Sequence, residues 1–552
     1  MDPVFHFIVF AVLSLLLIFS IALGELIRKK RIPLIYKNLI VGGILKMCRI
    51  KSFIKKPEVI VLSLILIFRV VYFFCLDYTF TPDSYEYIAI DGFSCLQGSI
   101  DRYRLPVYPM IIDICKIISG EHFAFLVCSV QLLASLLSIV VLYLTIKRIT
   151  DKKWICLFIT FLYGTLKATT GWDKTLLTES LSLSLTVFIV FGIVSFVKTK
   201  TYKYAALTTI CLLIGCFLRA IFVIFTGFFF GFLVLITILP ARKTDPITPK
   251  QRRINAKCSV TAVIPIVLVF VYAFMFNAQY GGFTISDSAL GQQLYIVIEN
   301  GYYKDTSDKE LQETADGIKN SIAESKLTNE IDSFVNNLFN KSHNKESIKK
   351  RLKTELPELG KDIILDPSIE SELDNIIYNR KKNEYNCSYT NSTTLCRWFI
   401  MENYDRNRVK EFVNEAKLNH LKSYIINIPL NTFESFSSYK CIKSSAIASL
   451  VSQITDNLLF FLNITVLHSL LVSLIELLSY IIILIKQKKA DWIRLGLGVF
   501  ILSTVLLSIF GTNGEFARTA ITALPFMFVA FAVYVEWFFN RIINTLSDKS
   551  KR

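Results

Sequence analysis

FTPDSYEYIAIDGFSCLQGSIDRYRLPVYPM, residues 80–110, is the stretch on which the fold turns. It follows an apolar run at 57–77 and precedes another that starts near residue 121. It holds acids, arginines, tyrosines and prolines, which an irregular chain in lipid could not carry, because no water is there to satisfy them. A polar, turn-rich loop of roughly 40 residues therefore sits between two membrane spans.

Composition agrees. The chain has 552 residues and is 53% hydrophobic, and its apolar residues cluster in blocks of about 18–25, the length that crosses the hydrocarbon of a bilayer. This is a polytopic α-helical membrane protein. The net charge of +17 does not point to nucleic acid, because the excess Lys and Arg lies in short loops between apolar runs, as membrane topology requires. The twelve Cys include no CxxC pair; most lie in apolar runs, where Cys acts as a small hydrophobe. Cys387 and Cys396 are the two that an oxidising compartment could pair.

Placing each basic loop inside gives about eleven spans without a conflict. They are 4–27, 57–77, 121–146, 154–170, 176–197, 203–219, 221–239, 259–277, 458–485, 492–510 and 519–540. The first is followed by RKKR and reads as a retained span, not a cleaved signal. Segment 278–456 falls outside, together with the loops at 78–120, GWDKT (171–175), Arg219 and GTNGEFAR (511–518). Three parts result: an N-terminal transmembrane module (1–277), an extracytoplasmic domain (278–456) and a C-terminal transmembrane module (457–552). In the middle part, Leu311, Ala315, Ile318 and Ile322 recur at helical spacing among Lys and Glu. Pro357 and Pro367 divide it into shorter helices.

The outer loops bring charge to the membrane boundary: Asp83, Glu86, Asp91, Arg102 and Arg104, then Asp173, Lys174 and Glu179, then Arg219, then Glu515 and Arg518. Ordinary interfacial polarity accounts for many such residues. Glu179 in LLTESLSLSL and Arg219 in CFLRAIF are harder to place that way, because charge near hydrocarbon depth costs several kcal/mol unless it faces a partner or a polar cavity. Carboxylates beside guanidinium groups suit group transfer from an anionic lipid-linked donor. A carboxylate can deprotonate an acceptor hydroxyl, and Arg or Lys can stabilise a leaving phosphate. No His set has ligand spacing.

FTPDSYEYIAIDGF followed by YRLPVYPMIIDI resembles the first outer loop of the GT-C membrane glycosyltransferases. The likeness is to the group of protein O-mannosyltransferases and aminoarabinose-to-lipid-A transferases (glycosyltransferase 39-like). The matching residues are Asp83, Tyr87, Arg104, Pro106, Tyr108 and Pro109. Glu179 matches the family's second acidic site. CFLRAIF resembles its L-x-R-P element, with Ala220 where Pro is usual, and FARTAITALPFMF resembles its last helix entry, with Pro525 retained. EFVNEAKLNHLKSYIINIPLNTF resembles the family's amphipathic helix and turn before a late span. Many members carry Asp-Glu at the first acidic site, where this chain has Asp83-Ser84.

The resemblance implies an all-α GT-C-like protein with a helical extracytoplasmic domain. It would move a sugar from a polyprenyl-phosphate donor to a hydroxyl of a lipid, glycan or protein acceptor, on the outer face of what the Lys, Ile and Asn content suggests is a bacterial plasma membrane. Asp83 and Glu179 are the expected catalytic carboxylates. Arg104, Arg219, Arg518 and Lys174 are the expected donor phosphate ligands, and Tyr87, Arg102, Tyr108 and Asp173 the expected substrate contacts. A divalent cation, Mg or Mn, stays open. A glycan polymerase or ligase, and a lipid-linked sugar transporter or flippase, are the alternatives.

Overall fold

A computed structural model describes residues 57–76, 78–239, 247–324, 396–424, 466–487, 489–511 and 520–550. The expected span 4–27, the basic connector, Pro357, Pro367, Ile322, Cys387, Glu515 and Arg518 lie outside the described residues or outside the described side chains. Among the described residues every named element is helical, and a parallel bridge joins Thr79 to Thr175.

The helices are α1 (Pro57–Cys75), α2 (Pro82–Ala89), α3 (Val107–Ser119), α4 (Phe123–Ile149), α5 (Lys153–Thr165), α6 (Glu179–Thr199), α7 (Tyr202–Leu218), α8 (Ile221–Ile238), α9 (Pro249–Tyr280), α10 (Ser288–Glu299), α11 (Lys309–Glu324), α12 (Arg406–Asn419), α13 (Val466–Gln487), α14 (Trp492–Gly511) and α15 (Leu524–Ser550). Among the described residues, six stretches are helical, long and apolar enough to cross a membrane, and Lys153–Thr165, Tyr202–Leu218 and Trp492–Ser508 are shorter apolar helices. The starts and stops follow local chemistry. Thr248 caps α9 by accepting from the Gln251 amide, with Pro249 at its first position. Gly281 ends it at φ +69.

Two expected spans are corrected. Helix α5 stops at Thr165 instead of running to 170, because the chain turns aside there and gives the Gly164 and Thr169 carbonyls to Arg69. The run at 121–146 does not begin after a polar loop: α3 leads into α4 through one turn at Gly120, φ +55.

The loops gather in two sets, one at each end of the bundle. At one end, Lys153 pairs with Glu58 at 2.7 Å, Thr150 donates to Glu536 at 2.8 Å and Arg148 donates to the Tyr204 hydroxyl at 2.8 Å. At the other, Thr79 bonds the Lys174 carbonyl, the Ile100 carbonyl accepts from Tyr280 at 2.6 Å, and Arg219 meets Glu179. Buried apolar side chains of α1, α3–α9 and α14–α15 form one core. Val260, Val267, Phe270 and Phe274 of α9, and Leu474, Leu478 and Ile482 of α13, stay exposed, as lipid-facing positions do.

A second core lies at the Thr79 end. Leu294, Val297, Tyr303, Leu311, Ala315, Ile318, Ile400, Val409, Phe412 and Ala416 close on each other, so the described parts of 288–324 and 396–424 form a helical unit of their own. Lys417 of α12 is half buried there and donates to the Gln293 side chain, and burial pushes its amine down to about 8. A lysine pKa lowered by folding destabilises the fold below that value, and the penalty fades as pH climbs towards the pKa of the unfolded chain. Lys417→Met is expected to raise the thermal midpoint at pH 7, with an advantage that shrinks by pH 10. A pH series of melts in detergent checks it.

Candidate functional site

Helix α2 presents the first acids. Thr81 and Ser84 close its first turn, the Thr81 amide donating to Ser84 Oγ at 2.9 Å, and Pro82 supplies a φ already suited to a helix. Asp83 falls in that first turn, with Glu86 and Tyr87 one turn on and so on the same face. Arg104 meets that face. Its Nη2 reaches Asp83 Oδ1 at 2.5 Å, its Nε donates to Glu86 Oε2 at 2.7 Å, and its guanidinium lies 4.9 Å from the centre of the Tyr87 ring. Burial works against the charge of Arg104, but Asp83 and Glu86 outweigh it and hold the guanidinium well above its ordinary pKa. Arg104 therefore stays cationic at any working pH.

The turn before α3 carries Arg104. Asp101 Oδ1 accepts from the Tyr103 and Arg104 amides at 2.8 and 2.6 Å, an Asx turn. Burial raises the Asp101 pKa, against the pull of those two amides. Gly92 lets α3 come close to this loop: a Cβ there would collide with the backbone of Met110. Gly92→Ala is expected to cost about 1–3 kcal/mol as overpacking, read as a lower thermal midpoint and lower yield in membranes.

Tyr108 links α2 to the bundle. Its ring packs edge-on to Tyr87, centroids 5.0 Å apart, and its hydroxyl donates to Gln131 Oε1 of α4 at 2.7 Å. Gln131 in turn donates to the carbonyls of Asp173 and Thr175, at 3.2 and 2.9 Å, which holds the turn that leads into α6. Glu179 opens α6, where the helix dipole favours an acid. It is fully buried, and Arg219 Nη2 lies 3.3 Å from its Oε1. Arg219 stands extended between α7 and α8, φ −155°.

Asp83, Arg104, Tyr87 and Tyr108 thus form one cluster; through Gln131, Tyr108 reaches the turn that leads to Glu179, which pairs with Arg219. The other expected residues take different partners. Asp173 is buried against Arg69 Nε at 2.7 Å and accepts from Ser180 at 2.8 Å. Lys174 donates to the Leu76 carbonyl and lies over the Phe73 and Tyr78 rings. Arg102 bonds Asp287 and the Met401 carbonyl beside the second helical core, at 3.0 and 2.6 Å.

No protein-family model matches the chain, and no curated relative does. Two solved structures show a similarity to the chain. One is the archaeal oligosaccharyltransferase AglB from Archaeoglobus fulgidus, in complex with an inhibitory peptide and a dolichol-phosphate. It gives a TM-score of 0.41 and 11% identity over 90% of this chain and 52% of that one. The other is an Archaeoglobus fulgidus oligosaccharyltransferase tethered by a disulfide to an acceptor peptide with the NVT sequon. It gives 0.40 and 12%, over 90% and 51%. The chain spans about half the length of these structures.

Among the described residues no group of three His, Cys, Asp or Glu could hold a metal ion. Asp83 and Glu86 carry Arg104, and Glu179 carries Arg219.

The sequence reading missed Arg69, Gln131, Asp101 and Asp287. Arg69 and Gln131 did carry a signal, a charge and an amide inside apolar runs, and polar groups at that depth need partners.

Proposed function

We propose that the chain is a membrane glycosyltransferase that moves a sugar from a polyprenyl-phosphate donor to a hydroxyl of a lipid, glycan or protein acceptor on the extracytoplasmic face. The Asp83–Arg104–Glu86 cluster carries this reading: an acid and a permanent cation held together at one end of an apolar bundle. The face follows from charge. Lys147, Arg148, Lys152, Lys153, Lys198 and Lys203 belong to the opposite end, which the positive-inside rule makes cytoplasmic.

The acceptor oxygen attacks the anomeric carbon of the sugar. The bond from that carbon to the phosphate oxygen breaks, and the phosphate keeps the electron pair. Asp83 takes the hydroxyl proton, a role that positioned carboxylates fill. Arg104 is shared between two carboxylates, so a donor phosphate can draw it over without leaving either acid far from a cation, and its planar fork suits two phosphate oxygens. Arg219 offers a second guanidinium, steadied by Glu179. The Tyr87 ring lies under the Arg104 guanidinium, with Tyr108 edge-on to it. The resemblance to O-mannosyl- and aminoarabinose transferases adds the sugar phosphate donor class.

The test uses purified protein in nanodiscs with radiolabelled polyprenyl-phosphate sugars, hexose and pentose, and membrane extracts as acceptor. Label moving onto an acceptor, with free polyprenyl phosphate released, supports the reading. Growth of chain length by whole glycan units points to a polymerase. Label crossing the bilayer with the lipid linkage intact points to a flippase.

A further inference from the structure

Asp287 fastens the outer helical unit to the first loop. It is fully buried, with Arg102 Nε at 3.0 Å on Oδ2 and Arg406 Nε at 2.8 Å on Oδ1. Its amide donates to the Arg102 carbonyl at 2.9 Å. The next residue of the loop is held as firmly. The Tyr103 carbonyl accepts from Ser286 Oγ at 2.7 Å and Ser288 Oγ at 2.5 Å, and the Tyr103 hydroxyl donates to Glu402. Gly282 passes so close to the Arg406 guanidinium that any Cβ there would displace it.

The same short turn holds the other cluster. Asp101 ties down the amides of Tyr103 and Arg104, and Arg104 spans Asp83 and Glu86. Residues 101–104 are therefore gripped by the outer unit on one side and by α2 on the other. We infer that Asp287 is a positioning residue for Arg104: through Arg102 it fixes the turn from which Arg104 reaches Asp83, and so makes the outer helical unit part of the site. Only the consequence for transfer rests on the proposed function; the mechanical link does not. Removing the Asp287 charge leaves two arginines facing a neutral side chain in a buried place, which such clusters tolerate badly.

The experiment measures hydrogen exchange on the full chain in nanodiscs, for wild type, Asp287→Asn, Asp287→Glu and Gly282→Ala. The last moves Arg406 without touching any charge. In Asp287→Asn and Gly282→Ala, the amides of 82–89 and 101–106 are expected to exchange about tenfold faster, those of α6 to stay unchanged, and Asp287→Glu to recover part of the protection. In the transfer assay kcat falls about tenfold and the donor KM rises with it, because the guanidinium that meets the donor phosphate has lost its alignment. Faster exchange confined to 282–300 and 396–424, with 82–89 as in wild type, would overturn the inference, because Asp287 would then serve only the outer unit. So would an Asp287→Asn loss that adds in full to that of Arg104→Lys. Should wild type transfer no sugar at all, the proposed function falls and the exchange pattern alone decides the positioning claim.

Discussion

Asp83→Asn should lower sugar transfer by about 10³-fold, in the range that loss of a general base produces, while the protein stays in the membrane at wild-type level. The side chain keeps its shape, and Arg104 keeps Glu86 at 2.7 Å, so the loop has no reason to unfold. On the proposed mechanism, what is lost is the atom that takes the acceptor proton. Donor affinity should change little, because Arg104 and Arg219 both remain. Glu86→Gln is the control. Glu86 is the more exposed of the two acids, with a relative side-chain exposure of 33% against 18% for Asp83. It shares the same guanidinium, so its loss should cost about tenfold or less, through misalignment only. Initial rates in nanodiscs at saturating donor separate the cases. An Asp83→Asn enzyme within a few-fold of wild type would remove Asp83 from the chemistry.

The second large effect concerns stability. Arg69 of α1 makes five hydrogen bonds in a buried place: to Asp173, the Gly164 carbonyl, Thr169 Oγ1, Ser135 and the Thr169 carbonyl. Both members of the Arg69–Asp173 pair have side chains only 2% exposed. Breaking such a pair on one side strands a charge and costs about 3–5 kcal/mol. Asp173→Ala should therefore fall in yield and melt well below wild type. Replacing both, Arg69→Leu with Asp173→Leu, should cost less than the two single losses together, because no charge is stranded. Additive losses in detergent melts would show that the pair itself contributes nothing. The position matters for the site too: Asp173 and Thr175 belong to the turn that delivers Glu179, and Gln131 bonds the carbonyls of both.

The sequence carried the membrane class, because blocks of apolar residues report the bilayer directly. It also carried the loop that holds Asp83, Tyr87, Arg104 and Tyr108, since polar residues between two spans have few other places to be. Glu179 and Arg219 were legible for a related reason: each is a charge at the edge of an apolar run, and the structure pairs them. Span ends were less legible. Nothing in the run 154–170 shows that its backbone leaves the helix at Thr165 to satisfy an arginine nearly a hundred residues earlier. Asp173 and Lys174 read as site residues from the short turn GWDKT, and that turn folds inward, Asp173 onto Arg69 and Lys174 onto the Leu76 carbonyl, which no local pattern announces. Asp287 lies 185 residues from Arg102, and no local pattern marks a partner that distant.

The most direct measurement is mass spectrometry of envelope glycans from a deletion strain complemented with wild type or with Asp83→Asn, at matched membrane expression. A single sugar mass missing from both the deletion and the Asp83→Asn strain, and restored by wild type, is the predicted result, and it names the sugar. A complete glycan restored by Asp83→Asn would contradict the account at its centre.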